Sequence, residues 1–259
     1  DYNTLYDLQA AVQTADQLAH VRHFRHVYID TDARTVDALN YLAGQMQTPH
    51  TLINSNNSHC LLLPDTTQGP AVMLLGPTEE LDAALLTRFA EARLLSKPPR
   101  LGGAPFHIYL IQPVSGTTGA VVAKSSLTLE QSKPVLVSWR NPSAHRQPVE
   151  RLLATIWRNQ TQRPANVDSW WTYHFAATYA GHGTNGQRAS ADCQLTGLVP
   201  GEQLLVPFSL PANSNALPTS LAISGTIANN TPYVLSYGPL HFQTLREQSS
   251  THGTFQGTT

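Results

Sequence analysis

The spacing of apolar residues changes once along this chain, near Pro113, and that change limits what it can fold into. Before it, apolar side chains recur every three to four residues between short apolar runs, the pattern of helices packed on buried strands. After it they recur every second residue, the pattern of strands with one dry face and one wet face. In the front part, Leu5, Leu8, Val12, Ala15 and Leu18 mark a helix from Thr4 to about His20, capped by Asn3 or Thr4. His26–Asp30 reads as a short buried strand, and Thr31 or Asp32 can cap a helix carrying Val36, Leu39, Ala43 and Met46. Thr51–Ile53, Cys60–Leu63 and Ala71–Leu75 are further strands. Thr78 is placed to accept from the free amides of a helix whose stripe is Leu81, Leu85 and Phe89, with Glu79 and Glu80 at its positive end. Phe106–Ile111 is a strand after the loop Lys97–Pro105. Strands separated by helices imply a mainly parallel sheet, so residues 1–113 are expected to form a small three-layer α/β domain.

From residue 114 to 247 the alternation of Val135, Val137 and Trp139, of Leu204, Val206, Phe208 and Leu210, and of Leu221 and Ile223 predicts short antiparallel strands. Turn signals at Asn141-Pro142, Val199-Pro200-Gly201 and Asn229–Pro232 separate them. An all-β sandwich, jelly-roll or immunoglobulin-like, is the expected architecture. The Ser-, Thr-, Gly- and Gln-rich tail, 248–259, is expected to be disordered.

Charged residues make up 13% of the 259, about half the usual share, and the net charge is −1. A near-neutral chain without Lys or Arg runs lacks the electrostatic footprint of a nucleic-acid binder. Its apolar stretches are too short to insert in a membrane. The chain opens at Asp1-Tyr2-Asn3 without a signal peptide, which reads as a trimmed or mature fragment. Cys60 and Cys193 lack metal-ligand spacing, and no cofactor is expected. Two separate buried thiols are the favoured reading of the pair, and a single disulfide is the alternative if the protein is exported.

The usual hydrolase, phosphate-loop and metalloprotease motifs are absent: no GxSxG, GxxxxGK[ST] or HExxH occurs, and the Gly-rich Leu101–Pro105 precedes a strand instead of opening a helix. Asp30 and Asp32 stand at the end of the first strand, where open α/β sheets carry ligands, although both can be spent on turn and cap geometry. His20, His23 and His26 do not converge, because six residues of helix rotate the outer two about 120° apart. In Asp168–Tyr179, the positions of Trp171, Tyr173, Phe175, Ala177 and Tyr179 form a core face, leaving Trp170, Thr172, His174 and Thr178 opposite. Trp170 there can stack on a sugar ring while Asp168 or His174 bonds its hydroxyls, or it can pack beneath a loop. Trp157 is a weaker second candidate.

The order of elements resembles the extracytoplasmic C-terminal portion of bacterial membrane glycosyltransferases of the dolichyl-phosphate-mannose protein mannosyltransferase type. The resemblance is carried by Arg25–Ile29, Thr35–Leu42, Cys60–Pro64 and Pro98–Tyr109, and in the back half by Leu198–Glu202 and Val206–Pro211. It implies that catalysis lies on loops of a membrane-embedded part, with a polyprenyl-phosphate sugar as donor, and that no catalytic residue sits in this chain. The expectation is a non-catalytic module outside the membrane, joined to the membrane-embedded remainder of its polypeptide and meeting carbohydrate or a protein acceptor. Two alternatives are a self-standing hydrolase or transferase centred on Asp30, and an interaction or spacer protein.

Overall fold

The computed structural model describes residues 2–31, 36–54, 60–64, 69–112, 120–124, 127–131, 135–139, 150–159, 171–179, 188–197, 201–210, 218–227, 231–237, 243–244, 248–250 and 253–255. The first half runs α1 (Tyr2–Val21), β1 (Val27–Thr31), α2 (Val36–Ala43), β2 (His50–Asn54), β3 (Leu61–Leu63), β4 (Ala71–Leu75), α3 (Glu80–Phe89), β5 (Glu91–Ser96) and β6 (His107–Gln112). Strands alone follow: β7 (Ala120–Lys124), β8 (Leu127–Gln131), β9 (Val135–Trp139), β10 (Glu150–Asn159), β11 (Trp171–Tyr179) and β12 (Arg188–Leu195). They continue as β13 (Gln203–Leu210), β14 (Pro218–Ile227), β15 (Thr231–Tyr237), β16 (Gln243–Thr244), β17 (Gln248–Ser250) and β18 (Gly253–Phe255).

Both main sheets draw strands from the two sides of Pro113. The first has the order β15-β14-β11-β12-β2-β1-β4-β6-β5. Its parallel part is β2-β1-β4, with Ile29 opposite Leu52 and Leu74, whereas β6 and β5 join antiparallel, so the sheet is mixed and not mainly parallel. The reason is local. α3 leads straight into β5, which pairs antiparallel with β6, and β6 returns antiparallel on β4 without a further crossover helix. β12 docks antiparallel on β2, with Leu195 opposite Ile53. Asn54 Nδ2 donates to Gln194 Oε1 at 2.8 Å, and the Leu52 amide donates to Thr196 Oγ1 at 2.9 Å. The second sheet has the order β16-β9-β10-β13-β3, with β8 on β10 and β7 on β8, and is antiparallel apart from β16 on β9. Here β3 leaves its sequence neighbours and lines the edge of β13, Leu62 opposite Leu204. Within the tail, Ser249 pairs with Thr254 in a short antiparallel ladder.

Alternation along the first sheet creates two apolar interiors. Val27, Ile29, Val72, Leu74 and Ile108 face α1 and α2, whose Ala11, Val12, Ala15 and Leu39 complete one core. Tyr28, Ile53, Met73, Leu75 and Ile111 face the other way, onto α3 and the second sheet, meeting Leu85, Leu153, Leu205 and Phe208. Helices, mixed sheet, then second sheet with α3 make three layers. Each fully buried Leu, Ile, Val or Phe contributes about 1.5–3 kcal/mol, and that term holds the layers together.

Polar groups fix how the layers meet. The Asp16 carboxylate, on α1, accepts from the amides of Gln47 and Thr48 at 3.0 and 2.9 Å and ties the helix to the start of β2. α1 ends in a Schellman turn: the Phe24 amide reaches Ala19 O at 2.9 Å, His23 reaches His20 O at 3.2 Å, and His23 adopts a left-handed φ of 56°. Thr78 does not cap α3. The residue at the cap is Glu79, whose side chain makes no cap bond, and Thr78 Oγ1 donates to Glu79 Oε1 at 3.1 Å instead. Cys60 and Cys193 form a disulfide with Cα atoms 5.7 Å apart, joining the strand that enters the second sheet to β12 of the first. The expectation of two separate thiols is therefore corrected. β3 and β12, far apart in sequence, are brought together by the interleaving of the two halves.

Candidate functional site

The chemistry-bearing groups cluster where β1 and β4 end. Asp30 is fully buried, one residue before the end of β1, between Ile53 and Leu75 in register. Its backbone oxygen accepts from the Gly76 amide at 2.7 Å. A side chain at Gly76 would set its Cβ 2.9 Å from Thr31 Oγ1 and 3.3 Å from Thr31 Cα, so only glycine lets the two strand ends approach this closely. The Glu79 amide then donates to Gly76 O at 3.3 Å, which starts α3 immediately beyond the strand.

This turn delivers a pair of acids. Glu79 is 5% exposed and Asp82 0%, one helical turn apart, with their carboxyl groups hydrogen-bonded. Burial above all, then the charge of Glu79 and the bond to it, hold the Asp82 carboxyl well above the usual carboxylate range. Asp82 therefore holds its proton to higher pH than an exposed carboxyl does. The arrangement is a buried pair of acidic side chains, hydrogen-bonded to each other beneath the strand ends.

A second polar line crosses the layers from the other end of β1. His26 Nε2 lies 2.8 Å from Thr51 Oγ1, and its ring packs on Tyr28 with centroids 4.7 Å apart. Burial, reinforced by the neighbouring His50, lowers its pKa to about 4, so the imidazole is neutral at pH 7. Tyr28 Oη donates at 2.7 Å to Glu202 Oε1, a fully buried carboxylate at the entry to β13. That bond crosses between the two sheets.

Of the residues expected from sequence, Asp30 is at its strand end and fully buried. Asp32, Asp168 and Trp170 lie outside the described residues. His174 stands in β11 opposite Asp192 and Ser224, its side chain outside the described set, and Trp157 stands in β10 opposite Leu204 and Gln131. Glu79, Asp82 and Glu202 were not singled out as site residues. Asp82 carried a readable signal: it lies three and four residues before the buried Leu85 and Leu86, inside the apolar arc of α3. Glu202 carried none, because its burial depends on Tyr28, 174 residues away.

Among the described residues no group of three or more His, Cys, Asp or Glu is placed to hold a metal ion, and no helix is long and apolar enough to cross a membrane. Comparison with protein-family models, with characterised proteins and with solved structures returns no match for the chain.

Proposed function

We propose that this chain is a non-catalytic extracytoplasmic module, of the kind attached to a polyprenyl-phosphate-sugar-dependent membrane glycosyltransferase, that contacts glycan or acceptor. The observation that carries the reading is the Cys60–Cys193 disulfide: such bonds form and persist in oxidising compartments and are rare where thiols are kept reduced. The weakly charged, Thr- and Gln-rich composition supports the same location. In this reading the strands of 114–247 act as a sandwich of jelly-roll or immunoglobulin-like class, and Trp170, with Asp168 and His174, is the stacking platform for a sugar ring. Titrating the purified chain with cell-wall polysaccharides while following Trp fluorescence tests the contact. Saturable quenching that is lost in Trp170→Ala is expected. A flat response across polymers removes the glycan version, and free thiols on the protein extracted from intact cells with a thiol trap removes the extracytoplasmic one.

The Glu79–Asp82 pair supports a second reading, a hydrolase or transferase at the strand ends, since a buried carboxyl that holds its proton more tightly than usual is what a general acid requires. Turnover of glycosyl or acyl esters that vanishes in Asp82→Asn, with the fold intact, would decide for it. An unchanged trace leaves the pair a structural feature of the core.

A further inference from the structure

The first sheet ends on β5, which among the described strands has one neighbour, β6. Its open side carries every other N–H and C=O of the strand, a row that another strand can pair with. The local sequence is Ala90-Glu91-Ala92-Arg93-Leu94, and the backbone is already extended at Ala90, with φ −136° and ψ 157°. Residues alternate between faces: Ala92 packs toward the core shared with the second sheet, and Leu95 toward the helices. Ala90, Ala92 and Leu94 therefore share one face, while Glu91 and Arg93 share the other. Glu91 and Arg93 are exposed, and within the described residues neither side chain makes a hydrogen bond or ion pair. Leu94 is a large apolar side chain left 36% exposed.

We propose that β5 pairs antiparallel with β5 of a second copy of this chain about a two-fold axis at Ala92. In that register Glu91 of each copy stands opposite Arg93 of the other, so both faces are self-complementary. On the charged face two opposite-sign pairs form. On the apolar face Leu94 covers Ala90 of the partner, and the two Ala92 residues meet with no bulk to separate the strands. Protective sheet edges usually carry charges that repel an identical strand. Here opposite signs two residues apart attract one. The register irregularity between Leu94 and Ser96, followed by Pro98-Pro99, stops the ladder from extending, which gives a closed dimer and not a fibre.

Sedimentation velocity of the intact chain, over a concentration series reaching about 500 µM because a five-residue ladder is a small interface, tests this. A concentration-dependent dimer that weakens with added salt is expected. The symmetry makes each single reversal, Glu91→Arg or Arg93→Glu, place like charges opposite each other twice, raising the dissociation constant at least about tenfold. The double exchange E91R/R93E restores both pairs and should return it to within about threefold of the starting value. A chain that stays monomeric throughout, a dimer indifferent to both single reversals, or a double exchange as weak as the singles each overturns the proposal. All three variants lie on an exposed edge, and an unchanged near-UV circular dichroism spectrum shows that the fold persists in each.

Discussion

Removing the cross-link between the two halves is the perturbation with the largest calculable effect. Cys60 and Cys193 are 133 residues apart, and closing a loop of that length removes about 17 cal/mol/K of chain entropy from the unfolded state. At 25 °C this is about 5 kcal/mol. Both sulfurs are fully buried in the core between the sheets, so Cys→Ala at each site adds about 1 kcal/mol of lost apolar burial. The double variant C60A/C193A should therefore lose about 5–7 kcal/mol, comparable with the whole stability of an ordinary domain. Equilibrium urea unfolding followed by Trp fluorescence measures it. The slope m should rise as well, because the uncross-linked unfolded chain exposes more surface. The single variant Cys60→Ala should fall nearly as far as the double, since the bond and not the individual sulfur is the stabilising unit. A loss below about 1.5 kcal/mol with unchanged m would refute the argument that this bond holds the interleaved halves together.

The remaining expectations concern titration and backbone geometry. His26 has a folded pKa of about 4 against an unfolded value near 6.5, so the unfolded state binds the extra proton; stability is complete above pH 6.5 and falls by up to about 3 kcal/mol as pH drops to 4. Replacing it in His26→Gln should flatten that part of a pH series of urea midpoints. Asp82 is shifted upward, so its penalty is absent below the ordinary carboxylate pKa and grows as pH rises toward the folded value. Asp82→Asn should consequently stabilise the protein more at pH 8 than at pH 3, read from urea midpoints; equal effects at both would contradict the buried acid pair. His23→Gly should relieve the left-handed φ of 56° and raise stability by about 1 kcal/mol, seen as a melting temperature higher by a few degrees.

Much of the local structure was legible in advance. The stripes of α1 and α3, and the strands around Val27–Asp30, Ala71–Leu75 and Leu204–Leu210, follow from periodicity, which is a property of neighbouring residues. β5 was not legible: the alternation Glu91-Ala92-Arg93-Leu94 is cut short by Leu95, and both faces of an edge strand stay partly wet. For the site, Asp30 was identified and its complete burial was not, while Glu79 reads with Glu80 as a helix-start acid and Asp82 was not singled out. Their burial depends on what that side of the helix packs against.

The sequence by itself determined most of the helices and strands, β5 excepted, and where the character of the chain changes, because those depend on contacts within a few residues. Only the tertiary structure decided that β3 crosses to the second sheet, that β12 extends the first, and that Cys60 consequently meets Cys193. Leu61, Leu62 and Leu63 are dry on both faces, so any apolar strand edge could have accepted them. The choice of β13 is set by the shared desolvation of two halves that are remote in sequence, a quantity no local pattern contains.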